Sequence, residues 1–263
     1  MRIGKQDAAF SAICTSDAER IIVRGRDLCE DIIGKLDFTS YFWLLVTGQT
    51  PNEDQLFLTN AVLTAITEHG LVPSVVASRM TYAAAPEAFQ GAVAAGLLGC
   101  GSVVLGSAET AGNFYAGVLE AINDNPGDSD AVIIDALRGL RAAKQAVPGF
   151  GHPQHSGGDP RALKLLALAR ERGVAGMHAA LVDDIRRLLP TVVGRSLPVN
   201  VNGAIPAVML DVGFPLAVLK GIALLARTAG LIGHLQEESQ RPIGFILSGR
   251  AAEAIAYDGP ATC

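Results

Sequence analysis

Residues 216–239 read LAVLKGIALLARTAGLIGHLQEES, and this stretch decides the fold class. Its apolar side chains recur at helical rather than alternating spacing, and Pro215 stands where a helix begins. Arg227 and His234 are seven residues apart, which places both on one face of an otherwise apolar helix. An unpaired guanidinium among apolar neighbours is costly, so Arg227 calls for a counter-charge or a ligand.

The same helical grammar recurs outward from this segment. Asn52 is a good N-cap, Glu53 and Asp54 favour the positive end of the dipole, and Leu56, Val62, Leu63 and Ile66 keep helical spacing until Gly70. His69 is thereby placed at a helix C-terminus. Asp128–Asp130 precede AVIIDALRGLRAAKQAV, closed by Pro148-Gly149. Asp159 caps RALKLLALARER with Pro160 at its first position, so Arg161 lies in a first turn whose free N–H groups attract anions. Strand signals are confined to IIVR at 21–24 and LPVNV at 197–201. The expected class is all-α (mainly α with minor β).

The chain has 263 residues, 49% hydrophobic and 18% charged, which excludes fibrous and mostly disordered classes and allows one large domain or two modest ones. Its net charge of −5 gives no global basic field for nucleic acid. Between Arg138 and Arg195, however, ten Lys or Arg face four Asp or Glu, a local +6 that leaves −11 elsewhere. That excess suits a phosphate- or carboxylate-bearing ligand, or simply two helices with solvated basic faces. Cys14, Cys29, Cys100 and Cys263 show no disulfide or zinc spacing, and MRIGKQDAAF lacks the apolar run of a signal peptide. A cytoplasmic protein is expected. Ala88–Ala108 is free of charge for 21 residues, but five glycines and Gln90 dilute it, so a packed helix and turn is expected rather than a membrane span. GLLGCG has no preceding strand and no GK[ST] follows, so the usual phosphate-loop motifs are absent.

Polar residues in awkward places carry the rest. His69 ends a helix, His152 and His155 sit in VPGFGHPQHSGGDPRA, and Asn200 and Asn202 interrupt LPVNVNGAIPAVML. Taken singly, each histidine is more often a capped or solvated residue than a catalyst. His152-x-x-His155 is half of a metal site at most, with no companion ligand at a suitable spacing, so no metal is expected.

Taken in order, these pieces resemble a known family. IIVRGRDLCEDIIGKLDFTSYFWLLVTGQTPNEDQ is similar to the N-terminal "RGYDI…L…F.E.A.LL..G..P" region of citrate synthases, and TEHG to their "ADHE" helix end. GFGHPQHSGGDPRA resembles "GFGHRVYKNYDPRA", and LARTAGLIGHLQEESQRP resembles "ARTVGWIAHW…RP". The matches are collinear from about residue 20 to 249. NVNGAIPAVMLDVG is similar to the "LNVDGLIGVAFVDML" of citryl-CoA lyase modules and GLIGH to their "GFIGH", while the "PLHGGA" of true citrate synthases is replaced by VLGSAE. The chain is therefore identified as a citryl-CoA lyase-like member of the citrate synthase superfamily.

The resemblance implies a fold and a chemistry. It implies a two-domain helical subunit, with a large domain of residues 1–70 plus 213–263 and a small domain of 71–212 that closes over substrate. Making or breaking the bond between a thioester α-carbon and an oxo-acid carbonyl passes through an enol or enolate, which needs a donor at the thioester oxygen, matched by His69. The second oxygen must exchange a proton, matched by His152. Arg161, Arg227 and Arg241 match the donors to substrate carboxylates, Arg241 being offered from the neighbouring subunit of a two-fold dimer. His155 and His234 are accessory candidates. No tightly bound cofactor is implied. The CoA thioester is substrate, and the ligands are acetyl-CoA or citryl-CoA with oxaloacetate or citrate.

Two positions depart from the family pattern. The family's third catalytic residue is Asp, whereas the matching residue is Asn202, whose amide does not exchange protons at neutral pH. Pro153 replaces the Arg that usually follows the loop histidine, where His155 would compensate. Asn202 fits an enzyme using another base, a substitution made to trap a ligand, or a chain that kept the pocket and lost catalysis. The expected activity is cleavage of citryl-CoA to acetyl-CoA and oxaloacetate. The alternatives are citrate synthase-type condensation and a non-catalytic binder of CoA or a polycarboxylate.

Overall fold

The computed structural model describes residues 10–101, 103, 105–151 and 158–260. It is mainly α with one small sheet, as the periodicity predicts. The chain forms two compact units, residues 1–60 and 61–263, with the boundary inside a helix.

In the first unit, β1 (Cys14–Ser16), β2 (Ile21–Val23) and β3 (Arg26–Asp27) form an antiparallel meander in that order. IIVR is thus the central strand. A π turn at Leu28–Ile32 follows, capped by the Asp27 carboxylate. The helix α1 (Phe38–Thr47) is capped by Asp37, and Gly48 ends it in the left-handed region. Val23, Ile32 and Leu44 form the core of this unit. Helix α2 (Glu53–Thr67) opens with a reciprocal cap, since the Gln55 N–H donates to Asn52 Oδ1 and the Asn52 N–H to Gln55 Oε1.

Among its described residues the second unit holds the end of α2 and nine more helices: α3 (Pro73–Ala84), α4 (Phe89–Leu98), α5 (Ser107–Asp124), α6 (Ser129–Ala142), α7 (Pro160–Glu171), α8 (Met177–Val193), α9 (Val201–Asp211), α10 (Leu219–Gln240) and α11 (Gly244–Ala254). Two groups organise it. Helix α9, buried along almost its whole length, packs against α5, α7 and α8. Helix α10 packs against α3, α4 and α5, and α3 against α4 and α11. By length and composition alone the helical stretch Leu216–Gln240 is long and apolar enough to cross a membrane, its most apolar window having a mean hydropathy of 1.6, and a core helix passes the same test. Asp211 joins α9 to α8. Its buried carboxylate accepts the N–H groups of Gly176, His178 and Ala179 at the start of α8 and sits 2.8 Å from His178 Nδ1.

Three element boundaries differ from the sequence reading. Helix α6 stops at Ala142 rather than near Pro148, because Lys144 adopts a left-handed backbone with φ of 55°. A 3-10 turn at Leu216–Val218 separates Pro215 from α10. LPVNV contributes only a single antiparallel bridge, Val199 to Phe150. Pro198 has no N–H to extend a ladder, and Asn200 already turns the chain into α9.

Candidate active site

The site is assembled around two loops that lie back to back. Asn200 caps α9, its Oδ1 accepting the Gly203 N–H, while its Nδ2 donates to the Gly151 carbonyl at 2.6 Å. The Gly151 N–H donates to Pro198 O at 2.7 Å and the Asn200 N–H to Gly149 O at 2.9 Å. The GFG segment is thereby strapped to the start of α9. Glycine is required on both sides: a Cβ on Gly203 would stand 2.4 Å from Gly149 O, and one on Gly149 would meet Gly203 and the Tyr115 hydroxyl at 2.6 Å. Tyr115 is fully buried with no partner for its hydroxyl, and burial pushes its ionisation far up, so it remains neutral.

A cavity of about 460 Å³ opens beside this strap. His69, Arg161, Asn202 and Arg227 all line it, so four residues spread over much of the sequence meet on one space. Arg227 is 3% exposed, and among the described residues neither its Nε nor its Nη1 has a hydrogen-bond partner. Arg161 is held from below. Its Nε and Nη2 donate to Asp159 Oδ1 and Oδ2 at 3.0 and 2.9 Å, the paired arrangement that best fits a guanidinium to a carboxylate. Burial pushes the Asp159 carboxyl up, but the bonds from Arg161 and from the Val201 N–H at 2.9 Å outweigh it and hold the pKa below the ordinary range. Asp159 is therefore ionised, and it fixes α7, α9 and the Arg161 fork together.

The electrostatics of the cavity are one-sided. Its lining contains no carboxylate among the described residues. Ser107, Arg161 and Asn202 sit in the first turns of α5, α7 and α9, so the N-terminal turns of these helices, where the positive ends of their dipoles lie, border the same space. Ser107 Oγ is buried without a partner among the described residues. Leu105, just ahead of α5, takes a left-handed backbone with φ of 66°. Near Arg227, burial pushes the Cys100 thiol up and the positive charge only partly offsets this, so the thiol stays protonated. The arrangement suits a ligand with several anionic oxygens and offers hydrogen-bond donors to a carbonyl or enolate.

The other expected residues fall elsewhere. His152, Pro153 and His155 lie outside the described residues. Arg241 is exposed just past the end of α10 and does not line the cavity. His234 is not in the lining either, and its Nε2 lies 2.9 Å from Glu68 Oε2. Among the described residues no group of three or more His, Cys, Asp or Glu is placed to hold a metal ion. Ser107 escaped the sequence reading, although the departure of VLGSAE from the family motif marked its position.

The citrate synthase C-terminal domain family matches residues 57–245, most of the chain. The chain belongs to the citrate synthase family. This family member also resembles solved structures. Over 100% of its own length and 97% of the other chain it matches a citryl-CoA lyase from Hydrogenobacter thermophilus, with a TM-score of 0.84 and 27% identity. It matches an ATP citrate lyase from Methanothrix soehngenii, in complex with citrate and coenzyme A, with a TM-score of 0.77 and 21% identity over 98% of this chain and 43% of that one. The citrate synthase from Thermotoga maritima follows at 0.66 and 17%, over 87% of this chain and 59% of that one. The last two likenesses establish the citrate synthase fold. Comparison with curated proteins returns no match.

Proposed function

We propose that the chain is a citryl-CoA lyase, cleaving citryl-CoA to acetyl-CoA and oxaloacetate. One observation carries this reading: a buried Arg227, unpartnered among the described residues, shares with His69, Arg161 and Asn202 a cavity whose described lining holds no carboxylate, in a chain that matches a citryl-CoA lyase from end to end. A guanidinium left unpaired in a buried place is stabilised when an anion fills it. Arg227 and Arg161 take the carboxylates of the citryl group. In cleavage its tertiary hydroxyl gives up a proton, for which His152 is the match, and the carbon bearing it becomes the carbonyl of oxaloacetate. The electron pair of the broken bond goes to the acetyl α-carbon, forming an enolate whose oxygen is met by a donor, His69. A proton then returns to that carbon. Asn202 donates a hydrogen bond but supplies no proton, so the proton comes through water or a neighbouring acid.

The reading includes a homodimer, with Arg241 reaching the partner's site, and closure of residues 71–212 over the thioester. Release of oxaloacetate from citryl-CoA, followed by its reduction in a coupled assay, tests it. Steady release is expected. No release, with free CoA appearing from acetyl-CoA plus oxaloacetate, would replace cleavage by condensation. Asn202 favours one further reading, a pocket that binds without turnover. Tight citrate or CoA binding with no reaction in either the wild type or Asn202→Asp would establish that reading, whereas activity gained in Asn202→Asp marks an enzyme slowed by its amide.

A further inference from the structure

The turn that carries His69 is pinned by groups that the reaction above does not use. His69 is the second residue beyond α2. On one side Gly230 of α10 comes so near that a Cβ there would stand 2.1 Å from the Thr67 carbonyl oxygen, an approach only glycine allows. On the other, Glu68 Oε2 lies 2.9 Å from His234 Nε2, one helical turn further along α10, and Glu68 Oε1 accepts the Gly70 N–H. Glu68 thus closes the turn around His69 and ties it to the helix that presents Arg227.

The His234 ring is itself oriented. Its Nδ1 faces Arg79 Nη1 at 3.4 Å. Arg79 is buried, with Nε donating to Glu238 Oε2 at 2.6 Å and Nη1 to Glu237 Oε2 at 2.7 Å. A guanidinium only donates, so Nδ1 accepts and Nε2 carries the hydrogen offered to Glu68. Burial pushes the Glu68 carboxyl up, but the bonds from His234 and the Gly70 N–H outweigh it, leaving an ionised acceptor. A line from Glu238 through Arg79 and His234 to Glu68 therefore ends one residue from His69.

We propose that His234 and Glu68 are positioning residues: their hydrogen bond fixes the 67–70 turn so that His69 meets the substrate held by Arg227. The catalytic part of this inference rests on the lyase reading; the geometric part does not. A pair that merely stapled α2 to α10 would lower stability and leave the surroundings of His69 unchanged.

Three variants test it in the full-length protein. His234→Gln keeps an N–H donor near the Nε2 position, His234→Leu keeps bulk without a donor, and Glu68→Ala removes the acceptor. With citryl-CoA as probe, kcat is expected to fall at least about tenfold in His234→Leu and in Glu68→Ala while KM moves less than about threefold, because misplacing a catalytic group costs rate more than binding. The double variant is expected to lose no more than either single one, and His234→Gln to restore most of the rate. In histidine-labelled protein without substrate, the His69 ring signals, assigned with His69→Asn, should shift in the Leu and Ala variants and return in the Gln variant. Unchanged kcat and ring signals in folded Glu68→Ala would overturn the proposal, as would equal losses in His234→Gln and His234→Leu. Should His234→Leu not fold, Glu68→Ala, altered at a half-exposed side chain, decides alone. If the wild type cleaves no citryl-CoA yet the ring signals follow this pattern, the lyase reading falls and the positioning role stands.

Discussion

Under the proposed function, Arg227 is a single residue that carries a cost in stability for the sake of binding. Its place in ALLARTAGLIG announces an unusual charge, and the structure leaves two of its nitrogens unpaired inside a cavity. Arg227→Met keeps the stem and deletes the charge. It should stabilise the ligand-free protein by about 1–3 kcal/mol, the cost of a buried unsatisfied polar group. It should also abolish measurable citrate or oxaloacetate binding. Thermal unfolding and calorimetric titration check the two halves, and a fall in Tm with affinity retained would remove Arg227 from the pocket. Sequence marked Arg227 because charge inside an apolar run is rare. Ser107 carried no such mark, since a serine at a helix start reads as an ordinary first-turn residue.

At the scale of elements, the decisive contact is the strap between 147–151 and the start of α9. Helix starts were legible at Asp128, Asp159 and Asn52, where a cap precedes a long periodic run, but not at Asp37 or Asn200, which cap α1 and α9. The end of α6 was not, because Lys144 breaks the helix by a backbone angle that its side chain does not advertise. The meeting of Gly149 with Gly203 was also invisible, since fifty-odd residues of chain separate them. Gly203→Ala, with a methyl 2.4 Å from Gly149 O, should cost about 1–3 kcal/mol through overpacking. The variant should lose activity by displacing Asn202 and the GFG loop together. Urea unfolding alongside the cleavage assay checks this, and wild-type stability would mean that the two backbones separate freely.

At the scale of the whole molecule the question is where the third arginine acts. Arg241 is exposed and outside the cavity, and the proposed function assigns it to the site of a partner subunit. Arg241→Leu and Arg227→Leu should each be inactive alone. Refolded together in equal amounts they should recover roughly a quarter of wild-type activity if the proposed homodimer shares Arg241 across its sites, since half the dimers would then be mixed, each with one intact site. No recovery in mixed dimers would place Arg241 outside the site. The sequence by itself determined the mainly α class, the capped helices and the short roster of charged and imidazole residues, because helical period, caps and misplaced charge are local properties of the chain. Only the tertiary structure decided that His69, Arg161, Asn202 and Arg227 share one cavity, that first-turn residues of α5, α7 and α9 line it, and that Glu68 meets His234. Those relations depend on how distant helices pack, which is settled by the shapes of buried faces and by glycines that let backbones touch.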